Sequence, residues 1–342
     1  MKIGIVGLGK MGILHASILN ALDGCSVTAI CEKERLVLEF AKKILPHITF
    51  YSDVVSMVNQ ERLDAVFVTT PISTHLPILR EIIDSASIPV FVEKPLAASY
   101  DDASVMAQLS REKRIITMVG YQKRFAPSFS RAKSILDSGQ IGKPLAFRAH
   151  SFVSSVFKEG RGWRFKKGEG GALLDLGSHL IDLLTFYFGV PDWVSGFDIQ
   201  IASKQVEDFT HALFGFESGL RGYVDVSWSV KGYRLPETKI EVIGSEGRIE
   251  VSDDRLFVSG NQSKEDSEGK EFTAPDLYKG VSFLIGDPEY CTEDEFFVNS
   301  IRNGREAHPD FSDATIVNKV IEGIHKSSLQ KEVVWLGDSK DR

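Results

Sequence analysis

Short apolar segments rich in β-branched residues recur along the first third of the chain, separated by spacers of helical length. These segments are residues 3–6, 27–30, 65–68, 90–92 and 115–119. Their spacing indicates βαβ units, and their lack of polar alternation indicates a parallel sheet that is covered on both faces. Residues 1–122 are therefore predicted to form a doubly wound α/β domain.

The pattern changes after residue 120, where one helical segment and one strand precede a Gly-rich basic loop and a long helix over 172–188. Further strand-like segments follow, several of them bounded by turn signals, at 193–201, 209–216, 220–230, 238–243, 248–251 and 256–259. Such a run predicts a largely antiparallel sheet, and helices over 292–302 and 312–327 follow it. Residues 260–270 are polar and are predicted to form a solvated loop. Residues 123–342 are assigned to a second domain.

Composition narrows the classes of ligand. The chain has 342 residues, 43% of them hydrophobic, which suits two globular domains. A membrane span is not expected, because Asp175, His179 and Asp182 interrupt the long apolar stretch 172–190. The net charge of −7 argues against nucleic acid as the partner, so a small molecule is favoured.

The cysteines and the first residues bear on location. Cys25, Cys31 and Cys291 have no metal-ligand spacing, so no metal site is predicted, and an odd, sparse set is typical of a reducing compartment. The chain runs directly into a strand without a signal-peptide pattern. A cytoplasmic protein is expected.

A glycine motif follows the first strand and opens a helix: Gly7, Leu8, Gly9, Lys10, Met11 and Gly12 form G-x-G-x-x-G. The first glycine permits the tight turn, the second lets the backbone approach a pyrophosphate, and the third allows close packing of helix on strand. The pyrophosphate of a dinucleotide would then lie at the helix N-terminus. The motif predicts a dinucleotide site.

Glu32 ends the second strand, where a carboxylate can accept hydrogen bonds from both ribose hydroxyls of NAD. It should repel the 2′-phosphate of NADP, yet Lys33 and Arg35 leave NADP possible. Thr70 and Pro71 end the strand at 65–68, beside the switch point of the sheet, so cofactor contact is expected there, with strand termination as the competing interpretation.

Four blocks resemble the Gfo/Idh/MocA family of oxidoreductases. They are the glycine motif with His15, Thr70-Pro71 with His75, Glu93-Lys94-Pro95, and Gly170-Gly171 through Asp175 and His179 to Asp182. The resemblance implies a Rossmann domain, then an α/β domain with an open, mostly antiparallel sheet, and a substrate site between them. It also implies sugars, polyols or nucleotide sugars as substrates, a cis Lys94-Pro95 bond, and cofactor contact at Glu93 and Lys94.

The proposed catalytic residues are Lys94, Asp175 and His179. Asp175 and His179 are four apart on a predicted helix, so one pocket can receive both. His179 is assigned as the base that removes the hydroxyl proton during hydride transfer, and Asp175 as its orienting partner or a substrate contact. Lys94, by resemblance to the family's E-K-P lysine, would stabilise the developing alkoxide. Asp182 is left outside this set, and His15 and His75 are interpreted as structural.

Arg124, Trp163 and Arg164 are further candidates for substrate contact. The last two lie in the basic loop 158–168, where Arg suits recognition of an anion, although a charge run is often only solvated surface. The resemblance leaves two alternative functions for this chain. One is a glycosidase that oxidises its substrate transiently with bound NAD, and the other is a non-catalytic NAD sensor.

The open second sheet should pair with another copy of the chain as a dimer or tetramer. Phe214, Tyr223 and Trp228 are candidates for its exposed apolar face.

Overall fold

A computed structural model describes residues 1–158, 160–260, 270–273 and 288–337. Its strands are β1 (Lys2–Val6), β2 (Ser26–Cys31), β3 (Thr49–Tyr51), β4 (Ala65–Val68), β5 (Val90–Val92), β6 (Thr117–Val119), β7 (Pro144–Phe152), β8 (Trp193–Ile199), β9 (Phe209–Gly215), β10 (Arg221–Ser227), β11 (Glu237–Gly244), β12 (Gly247–Ser252), β13 (Arg255–Gly260), β14 (Lys270–Thr273) and β15 (Val334–Trp335). Its α-helices are α1 (Lys10–Ala21), α2 (Arg35–Ile44), α3 (Val54–Gln60), α4 (His75–Ser85), α5 (Tyr100–Glu112), α6 (Pro127–Asp137), α7 (Ser178–Phe188), α8 (Pro288–Arg302) and α9 (Phe311–Gln330). The expected loop at 260–270 lies almost wholly outside the described residues.

The first compact unit contains residues 1–122 and, of the later described chain, residues 288–315. Its sheet has the order β3-β2-β1-β4-β5-β6 with all pairs parallel. Strands β4, β5 and β6 are buried along their whole length, which is why their sequences are continuously apolar. The doubly wound parallel sheet predicted from the sequence is confirmed.

Helix α8 lies in the first unit, which differs from the contiguous boundary drawn after residue 122. Phe297 of α8 is buried against the rings of Phe67 and Phe91, and α8 also contacts α1. The chain therefore returns to the first sheet because α8 buries its apolar face there. The chain leaves the first unit after Gln122.

The second unit contains the described residues from 123 to 273 and from 316 to 337. Its sheet has the order β14-β13-β12-β11-β7-β10-β9-β8-β15. Among the described strands β7 and β10 are parallel, and the other neighbours are antiparallel. Helices α6 and α7 contact this sheet. The mostly antiparallel second sheet is thus confirmed.

The helix expected over 172–188 has two parts. Residues Leu173–Gly177 form a π-helical turn, and the α-helix begins only at Ser178. The apolar pattern does not distinguish the two, because both place apolar residues on a buried side. π-Helical turns inside α-helices are frequent at functional sites.

The outer face of the second sheet exposes large apolar side chains on β8, β9 and β10, beside the ion-paired His211 and Asp225. Phe197 is 55% exposed, Leu213 41% and Tyr223 36%. The prediction that Phe214 and Trp228 are exposed on this face is wrong, because both are buried. Phe214 alternates with Leu213 and points to the opposite face, and Trp228 lies just after β10, where its indole nitrogen donates a hydrogen bond to a buried carboxylate.

None of the helices in the described part of the chain is long and apolar enough to cross a membrane.

Candidate functional site

The glycine turn between β1 and α1 has the geometry that the motif requires. Gly7 has φ +92°, a left-handed conformation that favours glycine, and its N–H donates to the carbonyl oxygen of Cys31 at 2.9 Å. A Cβ on Gly12 would lie 2.0 Å from the Gly7 carbonyl oxygen. Both positions therefore need glycine so that α1 can start directly against the strand.

The N-terminus of α1 fits a dinucleotide pyrophosphate. Gly9 is the N-cap and supplies no side-chain cap, and a Cβ there would meet nothing within 4 Å. Lys10 and Met11 are the first residues of the helix. The backbone can thus approach a phosphate in front of the positive helix end, as NAD requires.

Glu32 is held beside this turn by two backbone N–H groups. One carboxylate oxygen accepts a hydrogen bond from Leu8 at 2.7 Å, and the other accepts one from Glu34 at 2.8 Å. The contact with Leu8 places the acid next to the glycine turn, as the ribose assignment requires. Lys33 and Arg35 are exposed on the adjoining segment.

Thr70 and Pro71 follow β4, and a buried histidine ties this segment to the next loop. The two ring nitrogens of His75 lie 2.9 Å from the Thr70 carbonyl oxygen and 3.0 Å from the Leu96 carbonyl oxygen. Burial lowers the pKa of His75. These contacts give His75 a supporting position, in agreement with its structural interpretation, while Pro71 is exposed.

Glu93 is one end of a buried acid–histidine–acid chain in the first unit, with His15 at the centre. One oxygen of Glu93 lies 3.0 Å from Nε2 of His15, and Nδ1 of His15 lies 2.8 Å from Asp294 of α8. The other oxygen of Glu93 accepts the backbone N–H of Lys94 at 2.9 Å. Burial alone would lower the pKa of His15, but the carboxylates of Asp294 and Glu93 raise it well above its ordinary value.

Sequence reasoning missed Asp294, which is 279 residues from His15 and belongs to no motif. The contacts of Glu93 are with His15 and the Lys94 backbone, so its contact with the cofactor stays a prediction. The Lys94-Pro95 bond is cis, as the resemblance implies.

In the second unit, Asp175 and His179 lie on consecutive turns of different pitch. Asp175 is within the π-helical turn, and His179 is the second residue of α7 and is buried. The angular spacing of two residues four apart in a pure α-helix therefore does not apply to this pair. The N–H of Asp175 donates to the Gly171 carbonyl oxygen at 3.0 Å.

The basic loop folds back onto this segment through Arg164. Its guanidinium lies 2.5 Å from the Asp175 carboxylate and 4.9 Å from the centre of the Trp228 ring. Trp163 and Arg164 begin the short 3₁₀ helix Trp163–Phe165. Arg164 is therefore placed against a proposed catalytic residue, which a simply solvated charge run would not require.

Arg124 makes a two-pronged ion pair with buried Asp182. The two nitrogen–oxygen distances are 2.8 and 2.7 Å, and the guanidinium also lies 4.8 Å from the Phe186 ring centre. Asp182 therefore holds the Arg124 side chain in place. Direct contact of Arg124 with a substrate stays a prediction.

Two family models match the chain. The model described as "Oxidoreductase family, NAD-binding Rossmann fold" matches residues 1–121, and the "GFO/IDH/MocA C-terminal domain" matches residues 129–250.

Curated relatives span most of the chain. A scyllo-inositol 2-dehydrogenase (NAD(+)) of Bacillus subtilis is 27% identical over 92% of this chain and 90% of its own length. A D-apiose dehydrogenase of Paraburkholderia graminis is 28% identical over 98% of this chain and 89% of its own.

Solved structures share the fold over nearly the full length. A levoglucosan dehydrogenase in complex with NADH and levoglucosan superposes with a TM-score of 0.87 at 22% identity, covering 99% of this chain and 100% of that one. An oxidoreductase from Agrobacterium radiobacter, in complex with NAD+, L-tartaric acid and magnesium, gives 0.88 at 21% identity and 98% coverage of both chains. With both family models matched in order and the sheets they require in place, the chain belongs to the Gfo/Idh/MocA family of NAD-binding oxidoreductases.

Proposed function

We propose that the protein transfers a hydride between NAD and a hydroxyl-bearing carbon of a sugar or polyol. The observation that carries the proposal is the combination of a glycine turn that fits a pyrophosphate with a buried histidine four residues after an ion-paired aspartate. The relatives named as inositol and apiose dehydrogenases support this substrate class. Glu32 beside the turn favours NAD over NADP.

Three residues are proposed to serve the reacting hydroxyl. NAD, when bound, accepts the hydride from the carbon. His179 removes the hydroxyl proton, and Lys94 stabilises the negative charge that develops on the oxygen. Asp175, held by Arg164, orients the imidazole or the substrate.

The substrate contacts proposed for Trp163, Arg164 and Arg124 differ in their support. Arg164 is already beside Asp175, so a substrate bound to that carboxylate would also be near the guanidinium. Arg124 is held by Asp182, and 10% of its side chain is exposed. Trp163 is adjacent to Arg164 in the short helix.

Lys94→Ala tests the mechanism. We expect turnover on a substrate found by screening sugars and polyols to fall by about 10²–10³, the usual loss when an oxyanion stabiliser is removed. NAD affinity should stay nearly unchanged, because the pyrophosphate and ribose contacts are assigned elsewhere. Lys113→Ala, at the exposed end of α5, is the matched control.

Three results would redirect the proposal. Wild-type turnover in Lys94→Ala would make this lysine structural. Glycoside hydrolysis without net NADH formation would indicate the glycosidase, and NAD binding without any turnover would indicate a sensor.

We also propose that the second sheet pairs with another copy of the chain to form a dimer or tetramer. The exposed Phe197, Leu213 and Tyr223 support this, because large apolar side chains exposed together on a sheet face favour association. Only monomer in sedimentation at micromolar concentration would contradict it.

A cytoplasmic location is proposed on the evidence of the cysteines. Cys25, Cys31 and Cys291 are all free thiols, which suits a reducing compartment. Burial, the largest cause, raises the pKa of Cys31 to about 12, so this thiol is inert. Recovery of the native protein in an exported fraction would contradict the location.

A further inference from the structure

A buried carboxylate lies at the first turn of the segment that carries Asp175 and His179. The backbone carbonyl oxygen of Glu207 accepts the N–H of Ala172 at 3.1 Å, and its Oε1 accepts the N–H of Leu173 at 2.9 Å. We infer that Glu207 is a positioning residue, which fixes the start of this segment and thereby the placement of Asp175 and His179. The inference rests on the proposed function of those two residues.

The Glu207 carboxylate lies where a side chain at position 171 would have to be, so this position requires glycine. Gly171 has φ +114°, and a Cβ there would lie 2.2 Å from Oε1 of Glu207 and 2.4 Å from Oε2. The carboxylate thus fills the space where any other residue would place a side chain. Glycine and glutamate at these positions form one fitted contact at the N-terminal end of the π-helical turn.

The next residue, Asp208, holds the backbone at Glu207 in place. Asp208 is buried and accepts backbone N–H groups from Ile201, Ala202 and Ser203, each at 2.8 Å. These contacts fix the backbone of the dipeptide and hence the origin of the Glu207 side chain.

Asp208 also reaches the proposed site through an aromatic ring. Its Oδ1 accepts the indole N–H of Trp228 at 2.7 Å, and the Trp228 ring carries the guanidinium of Arg164, which pairs with Asp175. Two adjacent acids therefore hold the segment twice, Glu207 through the Leu173 backbone and Asp208 through Trp228 and Arg164.

The Glu207 side chain is expected to change its charge near neutral pH. Burial, the largest cause, raises the pKa of its carboxyl from 4.5 to about 7, while His325 of α9 lowers it and Asp198 of β8 raises it. The ionised form accepts a hydrogen bond from a helix N-terminal N–H more strongly than the protonated form. The hold on Leu173 should therefore strengthen as pH rises through neutrality.

Two variants and a control separate this role from a general structural one. We expect Glu207→Ala to lower kcat by about 10- to 100-fold, the scale of a small misplacement of reacting groups, with NAD affinity unchanged. Glu207→Gln retains an acceptor oxygen and should restore most of the turnover at about pH 6, where Glu207 itself is mostly protonated. Glu217→Gln, in an exposed turn of the same unit, should match wild type.

The pH profile isolates the ionisation of Glu207. The ratio of wild-type kcat to Glu207→Gln kcat should be near one at about pH 6, where both side chains are neutral, and should rise several-fold by about pH 8. Every other titratable group is present in both proteins, so the ratio isolates the effect of Glu207. A ratio that does not change with pH would overturn the linkage of positioning to the charge of Glu207.

The contribution of Glu207 to the stability of the fold changes with pH in the opposite direction to its hold on Leu173. Because the folded pKa is raised, the folded state holds this proton more tightly than the unfolded chain. Its contribution to the free energy of unfolding is therefore complete below about pH 4.5 and is lost as pH rises through about 7. Glu207→Gln should lack this decline.

Hydrogen exchange gives a measurement that does not depend on turnover. Peptides covering residues 171–180 should exchange faster in Glu207→Ala than in wild type, and Glu207→Gln should restore most of the protection. Unchanged exchange, or faster exchange with wild-type kcat, would overturn the inference. His179→Ala is measured in parallel, because full turnover in that variant would instead refute the proposed function.

Discussion

Glu32 illustrates at the scale of a residue how one carboxylate can select a cofactor. Its two oxygens accept the N–H groups of Leu8 and Glu34, so it is oriented before any ribose binds. We expect Glu32→Ala to weaken NAD binding by about 1.5–3 kcal/mol, the loss of hydrogen bonds to a charged group. The preference for NAD over NADP should narrow at the same time, because the carboxylate no longer repels a 2′-phosphate.

Glu34→Ala is the control for Glu32→Ala, because this exposed acid lies two residues away and makes no side-chain cap with α2. Fluorescence titration of each variant with NADH and, separately, with NADPH measures both affinities. An unchanged ratio of NAD to NADP affinity in Glu32→Ala would remove Glu32 from the ribose site.

Residues fixed by local spacing were predictable, and those fixed by distant partners were not. The glycine turn and Glu32 follow from the order strand, turn, helix, strand, which lies within about 30 residues. The partners of His15 and Leu173 come from elsewhere in the chain: Asp294 is 279 residues from His15, and Glu207 is 34 residues from Leu173. Arg164 could be named from its charge, but its pairing with Asp175 depends on how the loop closes.

At the scale of elements, α8 is joined to α1 by a buried ion pair. Asp294 of α8 and His15 of α1 are both fully buried and 2.8 Å apart. Glu93 still pairs with Nε2 of His15 when Asp294 is removed, but the buried Nδ1 loses its partner. Asp294→Ala should therefore lower the free energy of unfolding by about 1–3 kcal/mol in urea denaturation, the cost of leaving a buried polar group unsatisfied. Glu295→Ala, one residue further on the exposed side of α8, should leave it unchanged.

The outcome that would contradict this pairing is an equal loss in both variants, which would show that α8 is sensitive to any substitution. Most strands were predicted, including β4, β5 and β6, which have only three or four residues but are apolar because they are buried along their whole length. The pattern missed β3, β14 and β15, which are short and lie at the edges of their sheets. It also missed the π-helical turn, because the apolar pattern of Leu173–Gly177 does not distinguish a π-helical turn from an α-helical one.

At the scale of the whole molecule, the chain does not divide into two contiguous halves. It leaves the first unit after Gln122, builds the second sheet, and returns through α8 before ending in the second unit. The amphipathic pattern of α8 predicts a buried face, but the pattern does not say which sheet covers it. Phe297, packed on Phe67 and Phe91, supplies that information only in the folded structure.

The outer face of the second sheet allows assembly to be tested with one substitution. Leu213 lies opposite Tyr223 on β10 and Ser195 on β8, in the apolar part of the face. A carboxylate there would be desolvated in an interface between copies without a partner, so Leu213→Glu should shift the protein to monomers in sedimentation velocity at micromolar concentration. NAD affinity should persist, because the glycine turn and Glu32 belong to the first unit. Ser218→Glu adds the same charge at an exposed turn and should leave the assembly intact. If Leu213→Glu sediments as the wild-type oligomer does, the subunits associate through another surface.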